Sequence, residues 1–452
     1  MRFSPDDVNE YTRSHYVFHM IGLLIFLLVA SLPAAANDMP LISSLTNPPD
    51  KNQDSNVIYD EAKVPSYDLP SLLTSAEGRP IKTPEEWYLV RRPQLMGLFA
   101  NLIYGAVPSP PSPIRTTSEI LRTDDMFLNG RATRKTIRLR FENDNGSAEM
   151  ILQVYTPHRP IPNRANNGIA RIRNAVPAFL QLSFSNTRED GYDIDPARPE
   201  HLRNGVPIGA LLAHGYGYAA VYQGDIVRHN EVEFSSGIAP LFYRKGQSFP
   251  KTSEWGVIAM VAWSASRAMD YLATNSDFDA KRIAILGHSK MGKAALWAAA
   301  QDTRFALVIA AQSGCGGAAL WRRKYGETLE KMVTRFPYWL CRNAGKFVNN
   351  EDDLPIDQHE LLACITPRPL YVCSAIEDKW ADPTGQYLSC YYAGEAYRIL
   401  GKKGLESPQS PPPGEAIVHS DIGYHLREGG HSIDKFDWER FLDFADYHLQ
   451  KR

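Results

Sequence analysis

The chain has 452 residues, of which 44% are hydrophobic and 22% charged, and its formal net charge is −2. This is the composition of a globular protein able to bury a large core, and its balance excludes charge-driven recruitment to nucleic acid or to an anionic membrane surface. The five cysteines include no Cys-x-x-Cys pair, so no zinc-type ligand set is present, and nothing in the sequence implies a metal or an organic cofactor.

In chain order, Val17 to Leu32 is an apolar run followed by Pro33-Ala34-Ala35-Ala36. It reads as a signal peptide over residues 1–36, with Asn37 as the mature start. The run is short for a spanning helix, so the mature protein is expected in a periplasm or outside the cell without stable membrane association. Residues 37–75 are polar and proline-punctuated and read as an extended arm lying on a single catalytic domain, residues 76–452.

Within that domain, Thr83 to Tyr104 has helical spacing, with Thr83 as N-cap and Pro84 in the first turn. Thr136–Phe141 and Glu149–Tyr155 alternate about a turn at Asp144-Asn145-Gly146, which predicts a hairpin. The pattern then changes to strand–helix units. Val176–Ser183 and Ala219–Tyr222 are buried strands, Ser253–Thr274 is a long helix, and Arg282–Leu286 is a further strand. Phe305–Ala311, Pro369–Ala375 and Tyr424–Arg427 continue the strands, and Trp438–Leu449 closes the chain as a helix. Such alternation predicts an α/β fold with a doubly wound, mostly parallel sheet and helices on both faces.

The chemistry concentrates at Gly287-His288-Ser289-Lys290-Met291-Gly292-Lys293. A serine held between a buried strand and a helix projects its hydroxyl above the sheet, next to helix N-terminal amides suited to an oxyanion. This is the nucleophile elbow of an α/β-hydrolase, with its second glycine one residue later than in Gly-x-Ser-x-Gly. Such a serine needs a positioned base. His431 follows the last strand behind Gly429-Gly430, while His425 lies inside that strand and reads as packed. The acid is expected after Pro369–Ala375, where both Glu377 and Asp378 qualify.

Gly287–Lys293 resembles the Gly-(Cys/His)-Ser-Arg-x-Gly-Lys elbow of the glucuronoyl esterases, carbohydrate esterase family 15, especially its bacterial branch. The likeness extends through Gln312–Arg323, Tyr325–Thr328, Phe336–Trp339, Leu354–His359, Ala381–Pro383 and Ile422–His425. It implies Ser289 as nucleophile and His431 as base. Many members carry the acid where this chain has Gln312, whose amide cannot balance an imidazolium. Some bacterial members place it after the later strand, which here implies Asp378. The resemblance further implies sugar contacts from Lys293, Glu327 and Trp380. It also puts Lys290, in place of an arginine, at the oxyanion. Lysine keeps the charge but loses the planar fork.

The expected activity is hydrolysis of esters between (4-O-methyl-)glucuronic acid on xylan and lignin alcohols, by a monomer. Two rivals stand beside it: another carbohydrate esterase such as an acetyl xylan esterase, and a carbohydrate-binding protein with a degraded site. Cys315 and Cys341 lie in segments that fold beside the site, and in an exported protein they are candidates for a disulfide.

Overall fold

Phe278–His288 lies near the middle of a ten-stranded sheet whose composition explains its position. In this computed structural model, which describes residues 56–163, 168–172, 175–186, 192–227 and 234–450, Ile283 to Gly287 are all buried. Alternate residues feed two separate cores. Ile283 and Ile285 join one apolar cluster, and Ala284 and Leu286 the other. A strand covered on both faces needs such an unbroken apolar run.

The strands of the sheet are β1 (Arg115–Met126), β2 (Ala132–Asn143), β3 (Gly146–Pro157), β4 (Val176–Ser183) and β5 (Gly217–Tyr222). They are followed by β6 (Phe278–His288), β7 (Leu307–Ala311), β8 (Leu370–Ala375), β9 (Ala416–Ile417) and β10 (Ile422–Arg427). Their spatial order is β1-β2-β3-β5-β4-β6-β7-β8-β10-β9. The run from β5 through β10 is parallel. The β1–β2–β3 meander and β9 add antiparallel edges. This is the α/β architecture that the alternating pattern predicts.

Among the described residues, four of the helices that join the larger apolar cluster lie on one face of the sheet. The consecutive helical segments Pro84–Glu86, Trp87–Arg91, Arg92–Phe99 and Ala100–Tyr104 run on as α1. A Thr83–Glu86 capping box starts it. The others are α2 (Val257–Thr274), α3 (Lys290–Gln301) and α4 (Pro383–Ile399). The opposite face carries Ile208–Ala213 and the closing helix α5 (Lys435–Leu449). Helix α3 is buried on every side from Lys290 to Ala300. Its Ala294, Ala295, Ala298, Ala299 and Ala300 are what allow sheet and helices to approach so closely.

The described part of the N-terminal arm is tied to the domain at several points. The Gly326 amide donates to the Ile58 carbonyl, Glu61 pairs with Arg323, and Arg91 bridges the Leu72 carbonyl and Glu360. The expected signal peptide lies outside the described residues. No described helix is long and apolar enough to cross a membrane.

Candidate active site

Four neighbouring strands deliver their following loops to the same edge of the sheet. Ser289 follows β6, Gln312 follows β7, Asp378 follows β8 and His431 follows β10. A crevice outside the carboxyl ends of parallel strands is where an open α/β sheet places its ligands.

The elbow is strained in the manner the motif implies. Ser289 holds φ 57° and ψ −128° at the N-terminus of α3, a conformation costly for a residue with a side chain. Its amide donates to the Ala311 carbonyl and its carbonyl accepts from the Gly292 amide at 2.9 Å. Both flanking glycines are sterically required. A Cβ on Gly287 would lie 2.0 Å from the Met291 carbonyl oxygen, and one on Gly292 would lie 2.9 Å from the Ser313 Cβ. The late second glycine is therefore the point where α3 passes the end of β7.

His431 Nδ1 lies 2.7 Å from the Asp378 carboxylate, which is nearly buried, while the imidazole is partly exposed. The bond uses Nδ1, leaving Nε2 as the ring's other nitrogen for proton exchange. Of the two acids the sequence leaves open, Glu377 is exposed, and its amide donates to the Gly429 carbonyl. Gln312 makes no side-chain bond to His431. Its Nε2 donates to the Ser432 carbonyl at 2.8 Å, and its Oε1 faces His288 Nε2 at 3.2 Å. The His288 ring packs against His431 in a tilted arrangement, with centroids 4.6 Å apart and planes at 42°. Burial first, then repulsion from His431, pushes His288 down to about 4, so it is neutral at ordinary pH.

Lys290 is 1% exposed, and its Nζ stands over the rings of Trp339 at 4.9 Å and Phe184 at 5.4 Å. Burial, followed by the nearby Lys293 charge, pushes it down to about 7. Lys293 is also held inside the protein. Its buried ammonium donates to the Ser313 and Cys315 carbonyls at 2.7 and 2.6 Å and faces Glu327 at 3.5 Å. Three protein acceptors match its three donors. It therefore braces the segment after β7 and Glu327. Trp380 is half-buried under Arg335, 4.6 Å from its centroid, and its carbonyl accepts from the Glu327 amide.

Sequence reasoning gave no role to Phe184, Trp339, His288 or Arg335. Phe184 and Trp339 come from loops far from the elbow in the chain, and no local pattern announces their meeting at Lys290. All five cysteines are buried free thiols, so the candidate Cys315–Cys341 disulfide is absent. Cys373, His425 and Asp437 cluster within 4.8 Å. Both His425 nitrogens are already engaged, by Tyr371 and Asp437, so the group is a hydrogen-bonded network poorly suited to a metal.

Comparison with known proteins gives the family. A family model described as "Glucuronyl esterase, fungi" matches residues 226–401. The carbohydrate esterase MZ0003, from an unknown prokaryotic organism, is 39% identical over 417 residues, covering 86% of this chain and 92% of its own. The chain belongs to the glucuronoyl esterases of carbohydrate esterase family 15. Among solved structures, a family 15 esterase from a marine bacterial metagenome, described as promiscuous, is 36% identical with a TM-score of 0.75. It covers 87% of this chain and all of its own. The glucuronoyl esterase of Solibacter usitatus is 35% identical with a TM-score of 0.74, over 86% of this chain and 99% of its own. The protein is thus a carboxylic ester hydrolase with the α/β-hydrolase fold.

Proposed function

We propose that this esterase cleaves the ester between (4-O-methyl-)glucuronic acid of glucuronoxylan and a lignin alcohol, with Ser289, His431 and Asp378 as its triad. Ser289 Oγ attacks the C6 carbonyl while His431 Nε2 takes its proton. The tetrahedral oxyanion forms beside the Lys290 amide at the start of α3, with the Lys290 ammonium adding positive charge. Collapse expels the alcohol, which receives the proton from His431, and leaves a glucuronoyl-Ser289 ester. Water, activated by the same imidazole, then releases the acid. Asp378 fixes the Nδ1–H tautomer and stabilises the imidazolium. This chemistry needs no cofactor beyond water.

The observation that carries the reading is the 2.7 Å bond from His431 Nδ1 to Asp378, at the same sheet edge as the strained Ser289. Glu327 and Trp380, bonded to each other through the backbone and braced by Lys293, are assigned to the uronate ring. The apolar Phe184, 43% exposed at the end of β4, is assigned to the side where the alcohol leaves. Export and action as a monomer complete the proposal, the first resting on the apolar run at residues 17–32.

The test is turnover of benzyl glucuronate beside 4-nitrophenyl acetate, with Ser289→Ala as control. Release of benzyl alcohol that disappears in Ser289→Ala supports the reading. Acetate turnover without glucuronate turnover would move the assignment to an acetyl esterase, and no turnover of either would leave a binding protein.

A further inference from the structure

The loop that carries His431 is held from within by a single buried guanidinium. Arg427, the last residue of β10, is 4% exposed. Its Nη1 donates to the Glu428 carbonyl at 2.7 Å, and its Nη2 reaches the carbonyls of Gly430 and Ser432 and the Ser432 hydroxyl. Carbonyls on either side of His431, those of Gly430 and Ser432, are thus gripped by one nitrogen. Nε donates to Asp437 on the first turn of α5 at 2.8 Å. Asp437 is fully buried and also takes bonds from His425 Nε2 and the Asp434 amide. Burial alone would raise its carboxyl, but these bonds and the Arg427 charge hold it below the usual carboxylate range.

A simpler account makes Asp437 part of the capping box of α5, where it does bond the Asp434 amide. That explains one of its oxygens and nothing about Arg427. The Arg427 side-chain donors to main chain all point into residues 428–432, the loop that contains Gly429 and Gly430. The same loop is sewn to the acid turn, because the Ile376 amide donates to the Arg427 carbonyl and the Glu377 amide to the Gly429 carbonyl.

We infer that Arg427, oriented by Asp437, is a positioning residue that fixes His431 against Asp378 and Ser289. Only a guanidinium presents enough donors, in a fixed fork, to hold several carbonyls and a carboxylate together. A charge buried this deeply is tolerable because Asp437 neutralises it. The inference rests on the triad proposed above.

The experiment compares Arg427→Lys, Asp437→Asn, Ser289→Ala and the control Arg440→Ala on benzyl glucuronate, below the melting midpoint of every variant. A misplacement of the base by about 1 Å costs about 100-fold. Arg427→Lys should therefore lose about that factor in kcat with KM little changed. Asp437→Asn should lose a smaller factor in the same direction. Both should lose the downfield proton resonance of the His431 Nδ1–H bonded to Asp378. Arg440→Ala, whose ion pair with Asp443 lies on the outer face of α5, should keep wild-type kcat. Wild-type kcat and an intact resonance in both Arg427→Lys and Asp437→Asn would overturn the inference, as would an equal loss in Arg440→Ala. Activity surviving in Ser289→Ala would instead overturn the triad reading on which it rests.

Discussion

Lys290 makes the sharpest prediction, because its single ionisation moves activity and stability in opposite directions as pH rises. The ammonium is buried against Trp339 and Phe184 with Lys293 close by, and it is pushed down to about 7. Roughly half the molecules then carry the charge at pH 7, and roughly 1% at pH 9. Profiles of kcat/KM report ionisations of the free enzyme. If the charge helps hold the oxyanion, kcat/KM falls above about pH 7 and levels near pH 9 at the rate of the neutral-lysine enzyme. Loss of a whole oxyanion donor costs about 100- to 1000-fold. The Lys290 amide remains in place, so the drop should be smaller, about 10- to 100-fold. Lys290→Arg cannot lose its proton and should abolish the falling limb, and Lys290→Met should sit on the low plateau throughout. The stability effect has the opposite sign. The native lysine sheds its proton near 7 while the unfolded one keeps it to near its usual value, so the unfolded state binds more protons between these limits. Stability therefore rises with pH there, by about 1.4 kcal/mol per unit from this group. The assay is release of benzyl alcohol from benzyl glucuronate, corrected for spontaneous hydrolysis, with urea melts at each pH. A wild-type profile flat from pH 6 to 9, together with kcat of Lys290→Met within twofold of wild type, would refute the reasoning.

Other changes bear on the rest of the site. Asp378→Asn should lower kcat by about 10,000-fold through the wrong imidazole tautomer, whereas Glu377→Gln, on an exposed residue, should stay within a few-fold; the same ester assay separates them. Gln312→Glu should reduce activity, about tenfold, because it replaces a donor with a carboxylate oxygen 2.8 Å from the Ser432 carbonyl; a rate above wild type would contradict this. Gly292→Ala should lower the melting temperature and Gly287→Ala should prevent folding, since the first added methyl meets a side chain and the second meets backbone. Millimolar reductant should leave the melting temperature unchanged, because Cys315 and Cys341 are free; a drop of several degrees would restore the disulfide.

What the sequence reveals of the fold depends on how each segment is buried. Strands covered on both faces, such as Leu307–Ala311 and the Val176–Leu180 part of β4, are unbroken apolar runs and are legible as such. Strand β1 carries no such signal, because it pairs only with β2 at the sheet edge and its residues are almost all exposed. Helix α4 is likewise hidden in the sequence although Asp382 caps it and Pro383 follows. Its buried positions include Gly385, Gln386 and Ser389, which break the apolar periodicity. Helix α2 begins at Val257, four residues later than the sequence suggests. The Ser253 carbonyl and the Trp255 and Gly256 amides are drawn away to Tyr104 and Ala106 at the end of α1. Tertiary pairing there outweighs local propensity.

The site divides along a similar line. Ser289 and His431 are legible as candidates because each follows a strand. The position after Pro369–Ala375 leaves Glu377 and Asp378 open until the resemblance selects Asp378, and the surroundings of Lys290 required the fold. The departure at Gln312 then has a physical meaning. Strands β7 and β8 are neighbours, so residues 312 and 378 approach the His431 loop from adjacent strand ends. In the proposed triad the carboxylate comes from the β8 side. A second one at 312 would place like charges around a single imidazole and leave the Ser432 carbonyl facing an acceptor. The amide avoids both, holding the loop from below through Ser432 and keeping His288 as a neutral platform under His431. The missing acid at 312 and the acid at 378 are thus one coordinated change. With the charge moved one strand over, position 312 is released to act with Arg427 in fixing where the base stands.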